Sequence, residues 1–469
     1  MSTPPDPADA VAAWRALVQQ RIAGRPWIAT SDMLVGAAAQ AQVLLDLGAS
    51  RVLAIGGARG AGALPDPQVI PQIELGTGGT DMMGVIRAAE AALADVPPAV
   101  QAQVDGFDPA GEAQVVAALF SSGAPVAGRK VYGARPASWQ ALEDKVTVDA
   151  LWDAAGVERA PAVVVAAEPA ALAAAAAALD GGRGTVWAGD AREGFNGGAS
   201  YVRWVRSDAD AVEATAFFGP RCDRVRVMPF LTGVPCSIHG IVLPDTVLAL
   251  RPCEMLVFQV PGQSRFAYAG AGTFWDPPAA DREAMRAAVR RVGAHLRATV
   301  GYRGVFTLDG VMTPAGFRPT ELNPRYGAAL GILAAALPGM PLYLLHLALV
   351  EGEPLGPDAA DLEALLVTTA DRHRRGSGHQ LLQKKITESE TLTLVRTDTG
   401  WRVAHDGEAA HATLMLGPNP LGGFLRATLD PVATPVGPSA APRLAEVFAF
   451  ADHHWALGLG PLAPSEGAE

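Results

Sequence analysis

The period of the apolar positions changes several times along this chain, and each change marks an element. Between residues 1 and 140, β-branched and aromatic runs alternate with segments at helical spacing. Residues 27–30 and 51–55 read as strands, with a helix over 35–47 between them. Residues 103–105 read as a further strand and 112–120 as a helix after it. This alternation predicts α/β organisation. Residues 139–155 carry Leu142, Val146, Val148, Leu151 and Trp152 at helical spacing, with Gly156 as the cap. Strands are then expected over 160–166, 184–188, 200–205 and 224–230, and an alanine-rich helix over 169–179. Residues 237–240 and 247–254 read as paired strands. A long amphipathic helix over 279–300 turns Met285, Val289, Val292, Leu296 and Val300 inward.

That helix feeds the most informative stretch, 304–329. Residues 305–309 are an apolar strand, 313–316 supply turn residues, and 317–323 return as a second strand. Folding about Pro314 and Ala315 sets Asp309 roughly opposite Glu321, and side-chain alternation puts Glu321 and Asn323 on one face. Arg325 follows. Like charges opposed across a sheet are destabilising unless a cation lies between them. Two carboxylates and an amide oxygen suit Mg²⁺. The plainer alternative is a solvated hairpin, against which stand the apolar neighbours Phe306, Leu308 and Leu322.

Composition narrows the function. The 469 residues are 49% hydrophobic and 18% charged, which predicts several globular domains with a large core. A net charge of −11 argues against a nucleic-acid-binding surface. Cationic work falls on arginine, because the only lysines are Lys130, Lys145, Lys384 and Lys385. Cys222, Cys236 and Cys253 form no CxxC pair and read as reduced thiols of a cytoplasmic protein. No signal peptide and no membrane-spanning run is expected. Two glycine-rich turns, 56–62 and 76–80, invite a phosphate reading. The first lacks GxGxxG spacing and runs into prolines. The second opens a helix at Asp81, better suited to capping than to holding an anion. A third, 189–198, lies between two expected strands, where backbone N–H groups can fold over phosphates.

With its Glu-Leu-Asn-Pro-Arg return strand (321–325) and Asp309 upstream, the hairpin resembles the C-terminal core of the ATP-grasp ligases. The segment from Asp144 to Val157 is similar to one in which a family lysine opens a helix and reaches ATP phosphate. The resemblance implies an α/β and α+β multidomain protein with the ATP-grasp fold. Residues 1–140 would be a Rossmann-like pre-ATP-grasp domain, 141–352 the ATP-grasp domain (141–232 lid, 233–352 metal-binding core), and 353–469 a small α+β cap or an oligomerisation unit holding a homodimer. It implies Mg²⁺ on Asp309, Glu321 and Asn323, and Lys145 on phosphate. Gly197 and Gly198 would lie in a loop closing over the triphosphate, and the backbone of Phe230 and Leu231 would meet adenine. Arg325 would stabilise the acyl phosphate or the tetrahedral intermediate. Three positions depart from the pattern: Ala188 stands where a second ATP lysine is usual, and Met228 and Pro235 stand where acids are usual. Arg192 or Arg203 are candidates to replace the lysine.

The implied activity is carboxylate–amine ligation with ATP through an acyl phosphate, on small-molecule acids and amines, similar to stand-alone peptide ligases. The departures leave a second reading open, a non-catalytic nucleotide-binding scaffold. A nicotinamide dehydrogenase lacks its fingerprint. His239, beside Ile238, reads as a satisfied polar residue of a half-buried sheet, with contact to ligand as the alternative. Arg251 and Glu254 read either as an ion pair or as facing substrate. The basic residues of 371–375 and Lys384–Lys385 read as a solvated face or as a clamp on an acidic substrate. Residues 354–358 read as a linker, and 361–370, 392–397, 401–404, 411–416, 423–429 and 442–456 as helix, four strands and helix.

Overall fold

The structure, a computed structural model, describes residues 7–118, 121, 123–194, 196–353 and 359–465. The expected linker 354–358 lies outside them.

The N-terminal unit is a five-stranded parallel sheet. Its strands are β1 (Pro26–Met33), β2 (Arg51–Ala58), β3 (Gln72–Glu74), β4 (Gln114–Val116) and β5 (Val131–Tyr132), in the order β3-β2-β1-β4-β5. Around it lie α1 (Pro7–Ile22), α2 (Leu34–Asp46), α3 (Met82–Ala94) and α4 (Pro98–Phe107). Two expectations reverse here. The strand read at 103–105 is inside α4, where Pro98 occupies the first turn and Val100 and Val104 bury one face at i,i+4 spacing. The helix read over 112–120 contains β4 instead. Val115 and Val116 are buried on both faces of a parallel sheet, where a continuous β-branched run is at home and period 2 disappears.

A second unit follows: α5 (Ala137–Gln140), a 3₁₀ turn (Ala141–Glu143), α6 (Val148–Ala154), β6 (Val163–Ala166), α7 (Pro169–Leu179), β7 (Thr185–Gly189), β8 (Val202–Val205), α8 (Asp208–Phe218) and β9 (Arg224–Pro229). The antiparallel order is β6-β9-β7-β8, with α7 and α8 on one face. The single helix expected over 139–155 is broken. Asp144 is extended and its carboxylate accepts the Val146 N–H (3.2 Å), so Lys145 sits in a turn between two short helices.

The third unit runs β10 (Val234–Val242), β11 (Val247–Ala249), β12 (Cys253–Gln259), β13 (Phe266–Gly272), α9 (Ala279–Val300), β14 (Gly304–Thr313), β15 (Gly316–Asn323), α10 (Ala328–Ala336) and α11 (Leu342–Val350). It continues with α12 (Ala359–Arg372), β16 (Gly376–Leu382), β17 (Glu390–Thr397), β18 (Gly400–Val403), β19 (Ala412–Asn419), β20 (Gly422–Leu429) and α13 (Ala441–Trp455). All these strands belong to one sheet, ordered β15-β14-β10-β12-β13-β16-β20-β19-β17-β18, with β11 pairing beside β10. The C-terminal strands therefore extend the sheet that carries the hairpin. The seam is Gly270 opposite Gly378. At Gly270 φ is +153° and a Cβ would lie 2.2 Å from the Ser377 carbonyl oxygen, so only glycine lets β16 approach.

Helix α9 spans the range its stripe predicted and packs Met285, Val289, Val292 and Leu296 against β10, β11 and the hairpin. Phe306 fills the centre of that layer, fully buried. His346 of α11 accepts the Val305 N–H (3.0 Å), which ties α11 to the first hairpin strand. Burial pushes His346 down to about 3, so it stays neutral and able to accept. Phe306→Ala is expected to lower the unfolding free energy by about 3–5 kcal/mol in urea denaturation, as for other emptied aromatic sites.

Candidate nucleotide and metal site

The hairpin register brings the acidic residues face to face. Asp309 pairs with Glu321 and Thr307 with Asn323, with an irregularity just after Asp309. The Asp309 carboxylate accepts from Ser237 Oγ (2.5 Å) and from Asn323 Nδ2 (2.8 Å). Burial, then the Glu321 charge, push Asp309 from its ordinary 3.8 up to about 7; Ser237, Arg325 and Lys145 pull the other way. Glu321 Oε1 accepts from Lys145 Nζ (2.7 Å), and Asn323 Oδ1 from Arg325 Nη2 (2.8 Å). Arg325 Nε donates to Glu143 Oε2 (3.0 Å), and Glu143 Oε1 accepts from Arg135 (2.5 Å). Five residues singled out in the sequence, Lys145, Asp309, Glu321, Asn323 and Arg325, thus form one network. Ser237, Glu143 and Arg135 complete it.

The glycine-rich loop closes the other side. Lys145 Nζ also donates to the Asn196 carbonyl (3.3 Å), and Asn196 Oδ1 accepts from Arg87 of α3 (2.9 Å). Gly197 N–H points at Met83 Sδ (3.4 Å), and Gly198 has φ +61° with Met82 Cε 2.4 Å from where its Cβ would stand. The loop is therefore laid against the first turn of α3. Between them lies a cleft of about 620 Å³ bordered by Lys145, Glu143, Arg135 and Asp190.

No protein-family model matches the chain, and no curated protein matches it. Solved structures do. A phosphoribosylamine–glycine ligase from Thermotoga maritima superposes with a TM-score of 0.51 at 15% identity, over 86% of this chain and 92% of that one. Rhizobium etli pyruvate carboxylase gives 0.53 at 15%, over 87% of this chain and 37% of that one. The ADP complex of an N5-carboxyaminoimidazole ribonucleotide synthetase gives 0.48 at 12%, over 92% of this chain and 98% of that one. This chain has the ATP-grasp fold.

Within that fold the donor set can be tested against Mg²⁺. Among the described residues no three His, Cys, Asp or Glu side chains group as metal ligands. What the hairpin offers is two opposed carboxylates with the Asn323 amide, all oxygen donors. Burial first, and the Glu321 charge second, keep a proton on Asp309 up to about 7 even with Lys145 and Arg325 close by. That is the environment a hard divalent cation relieves, and the residues fit one.

Other expected roles are redistributed. Arg192 turns outward to Asp223 (3.0 Å), and Arg203 lies over the Phe217 ring (3.7 Å). Neither stands at Ala188. Arg226 does: it pairs in register with Ala188, is buried, and holds Asp149 through Nε (2.8 Å) and Nη2 (2.7 Å). The Phe230 N–H donates to the Gly184 carbonyl (3.1 Å), and its ring stacks on Trp204 (4.2 Å). That N–H is thus spent on the protein, leaving the Phe230 carbonyl and Leu231 N–H as the groups of this pair to meet a base. Among the described residues neither shares a hydrogen bond with the carboxylate network. His239 is neutral, pushed to about 3 by burial, and bonded to Thr307 Oγ1 (2.8 Å).

Arg251 and Glu254 do not pair with each other. Arg251 reaches Asp276 and Asp371 (3.2 Å each), while Glu254 accepts the Ala440 and Ala441 N–H groups at the start of α13 (2.8 and 3.3 Å). The 371–375 run is largely structural: Asp371 and Arg374 join that cluster, and Lys384 donates to the Trp455 carbonyl (2.6 Å) at the end of α13. Arg87 and Arg135 were missed. Arg87 interrupts the apolar stripe of α3, and Arg135 precedes a proline in an uninformative loop.

The raised carboxyl sets a sign for stability. Folded Asp309 keeps a proton that the unfolded chain loses near 3.8, so its contribution falls as pH rises from about 4 through about 7. Asp309→Asn is expected to reduce the loss of melting temperature between pH 5 and pH 8. Added Mg²⁺ at pH 8 should raise the melting temperature of the unaltered protein and leave the variant unchanged.

Proposed function

We propose that this chain is an ATP-dependent ligase that joins a small-molecule carboxylate to an amine through an acyl phosphate, releasing ADP and phosphate. The observation that carries the reading is one network in which Lys145 holds Glu321, Asn323 holds Asp309 and Arg325 holds Asn323, with Lys145 also lining the cleft. Structures sharing the fold include one named as a phosphoribosylamine–glycine ligase, and formation of a carbon–nitrogen bond is what we assign here.

Asp309, Glu321 and Asn323 would hold Mg²⁺, which supplies charge neutralisation at transferring phosphate. Lys145 exchanges its Glu321 contact for a phosphate oxygen, a move its flexible stem allows. Arg325, held in place by Glu143 and Asn323, directs a fixed cation at charge developing on the acyl group. The loop around Gly197 and Gly198 excludes water that would hydrolyse the acyl phosphate. Arg226, fixed by Asp149 beside Ala188, is the cation best placed to do the work of the missing lysine.

The test is nucleotide turnover by the full chain with Mg-ATP and mixed pools of acids and amines. ADP release requiring both an acid and an amine is expected, and Glu321→Gln should lower it by about 10²-fold or more. Lys145→Ala should chiefly raise KM for ATP. AMP in place of ADP would move the reading to adenylation. Mg-ATP binding without turnover in any pool would favour the non-catalytic nucleotide-binding protein, which Ala188 already suggests as the second reading.

A further inference from the structure

Helix α3 buries Met83, Val85, Ala89 and Leu93, yet carries Glu90 beside that face. Glu90 borders two clefts at once. One is the 620 Å³ cleft that holds Lys145 and Glu143; the other, about 950 Å³, lies between the N-terminal unit and helices α10 and α11. The second cleft is walled largely by apolar side chains, among them Val43, Leu93, Leu342, Tyr343 and Leu344. Glu90 Oε1 is buried and has no hydrogen-bond partner among the described residues. Native proteins rarely leave such an acceptor unmet unless something else completes it.

We propose that Glu90 receives the amine substrate, and that this substrate is an ammonium group on an apolar body. The inference rests on the ligase reading for its chemistry but not for its binding. The apolar body lies in the larger cleft, the ammonium at Glu90 in the neck, and the acyl phosphate on the Lys145 side. The ammonium gives one proton to Glu90, and the freed nitrogen lone pair forms the C–N bond at the acyl carbon. The C–O bond to the phosphate then breaks, and phosphate leaves with that electron pair. Phosphate takes the second proton from nitrogen as HPO₄²⁻, and Glu90 passes the first to water. No oxidant or further reactant is needed.

The charged groups facing Glu90 are Arg135, Arg87 and Asp32. Burial outweighs both arginines and, with a smaller push from Asp32, raises the carboxyl to about 7. A carboxylate poised there exchanges protons effectively at neutral pH. The sequence signal was faint: Arg87 and Glu90 are the only charged residues among 82–94, three apart and so on one helical face.

Binding is tested on the full chain without nucleotide, using hexylammonium as probe and hexanol as its uncharged counterpart, by calorimetry. Hexylammonium is expected to bind at pH 8 at least about tenfold more tightly than hexanol, as a charge-assisted contact requires. Affinity should fall about tenfold toward pH 6 as Glu90 takes its proton. Glu90→Gln should lose the preference for the ammonium and keep hexanol affinity. Equal binding of the two probes by the unaltered protein would overturn the proposal, as would unchanged hexylammonium affinity in Glu90→Gln. Leu93→Trp, which crowds the apolar cleft, should weaken both probes together, and unchanged binding of both would place them elsewhere.

A second arm reads chemistry. With Mg-ATP, acid pools and hydroxylamine, which attacks acyl phosphates without a base, Glu90→Gln should lose far less hydroxamate formation than amide formation. Its amide formation with alkylamines should drop at least about tenfold. Parallel loss of both products would overturn the role. Absence of hydroxamate from the unaltered protein with every acid would count against the ligase reading, while the calorimetry still decides Glu90.

Discussion

Two carboxylates held opposite each other on a buried hairpin are the constraint to which much of this molecule answers. Asp309 and Glu321 repel across one rung of the ladder. In an apolar sheet that repulsion must be met by charge brought from elsewhere. Lys145 comes from the turn before the lid, Arg325 from the segment leaving the hairpin, and Glu143 with Arg135 position that arginine in turn. The broken helix around Lys145 follows from the same demand. A continuous helix over 139–155 would serve local propensity better, but the chain gives up several helical hydrogen bonds to bring one ammonium to Glu321. Tertiary electrostatics here override a local preference worth only tenths of a kcal/mol per residue.

The hairpin was legible because two independent periodicities agree there. Alternation sets the face and the turn residues set the register to within a residue, so Asp309 and Glu321 could be brought roughly opposite, while the irregularity after Asp309 that aligns them was not legible. Helix α9 was legible for the same reason, its stripe being long and regular. The errors came where those signals thin out. At 103–105 and 112–120 the segments are short, and a two-residue β-branched pair buried in a parallel sheet has no period to read. The fate of the basic 371–375 run was hidden because its partner Asp276 lies about a hundred positions upstream. Arg226 was passed over since nothing local says that it stands beside Ala188. That adjacency exists only after β7 and β9 pair.

The candidate site residues separate along the same line. Those on the hairpin, and Lys145, carry sequence patterns. Those supplied by α3, namely Arg87 and Glu90, belong to a helix whose other residues are ordinary core, and they matter only because the glycine loop lies against it. The cleft is therefore a property of three segments far apart in the chain. Its electrostatics can be altered from the N-terminal unit without touching the hairpin.

The close pairing of Gly270 with Gly378 has a further consequence for how the protein avoids sticking to itself. Without β16 the sheet would end at β13, a seven-residue strand whose unpaired N–H and C=O groups would invite another chain. By admitting β16, the glycine seam hands the exposed edge along four more strands to β18. That strand has only four residues and carries Arg402. A short, charged edge is a poor template for association. On this view the C-terminal hundred residues work as a terminator of the sheet, and a bulky side chain at one glycine would expose a surface prone to aggregation far from any substrate.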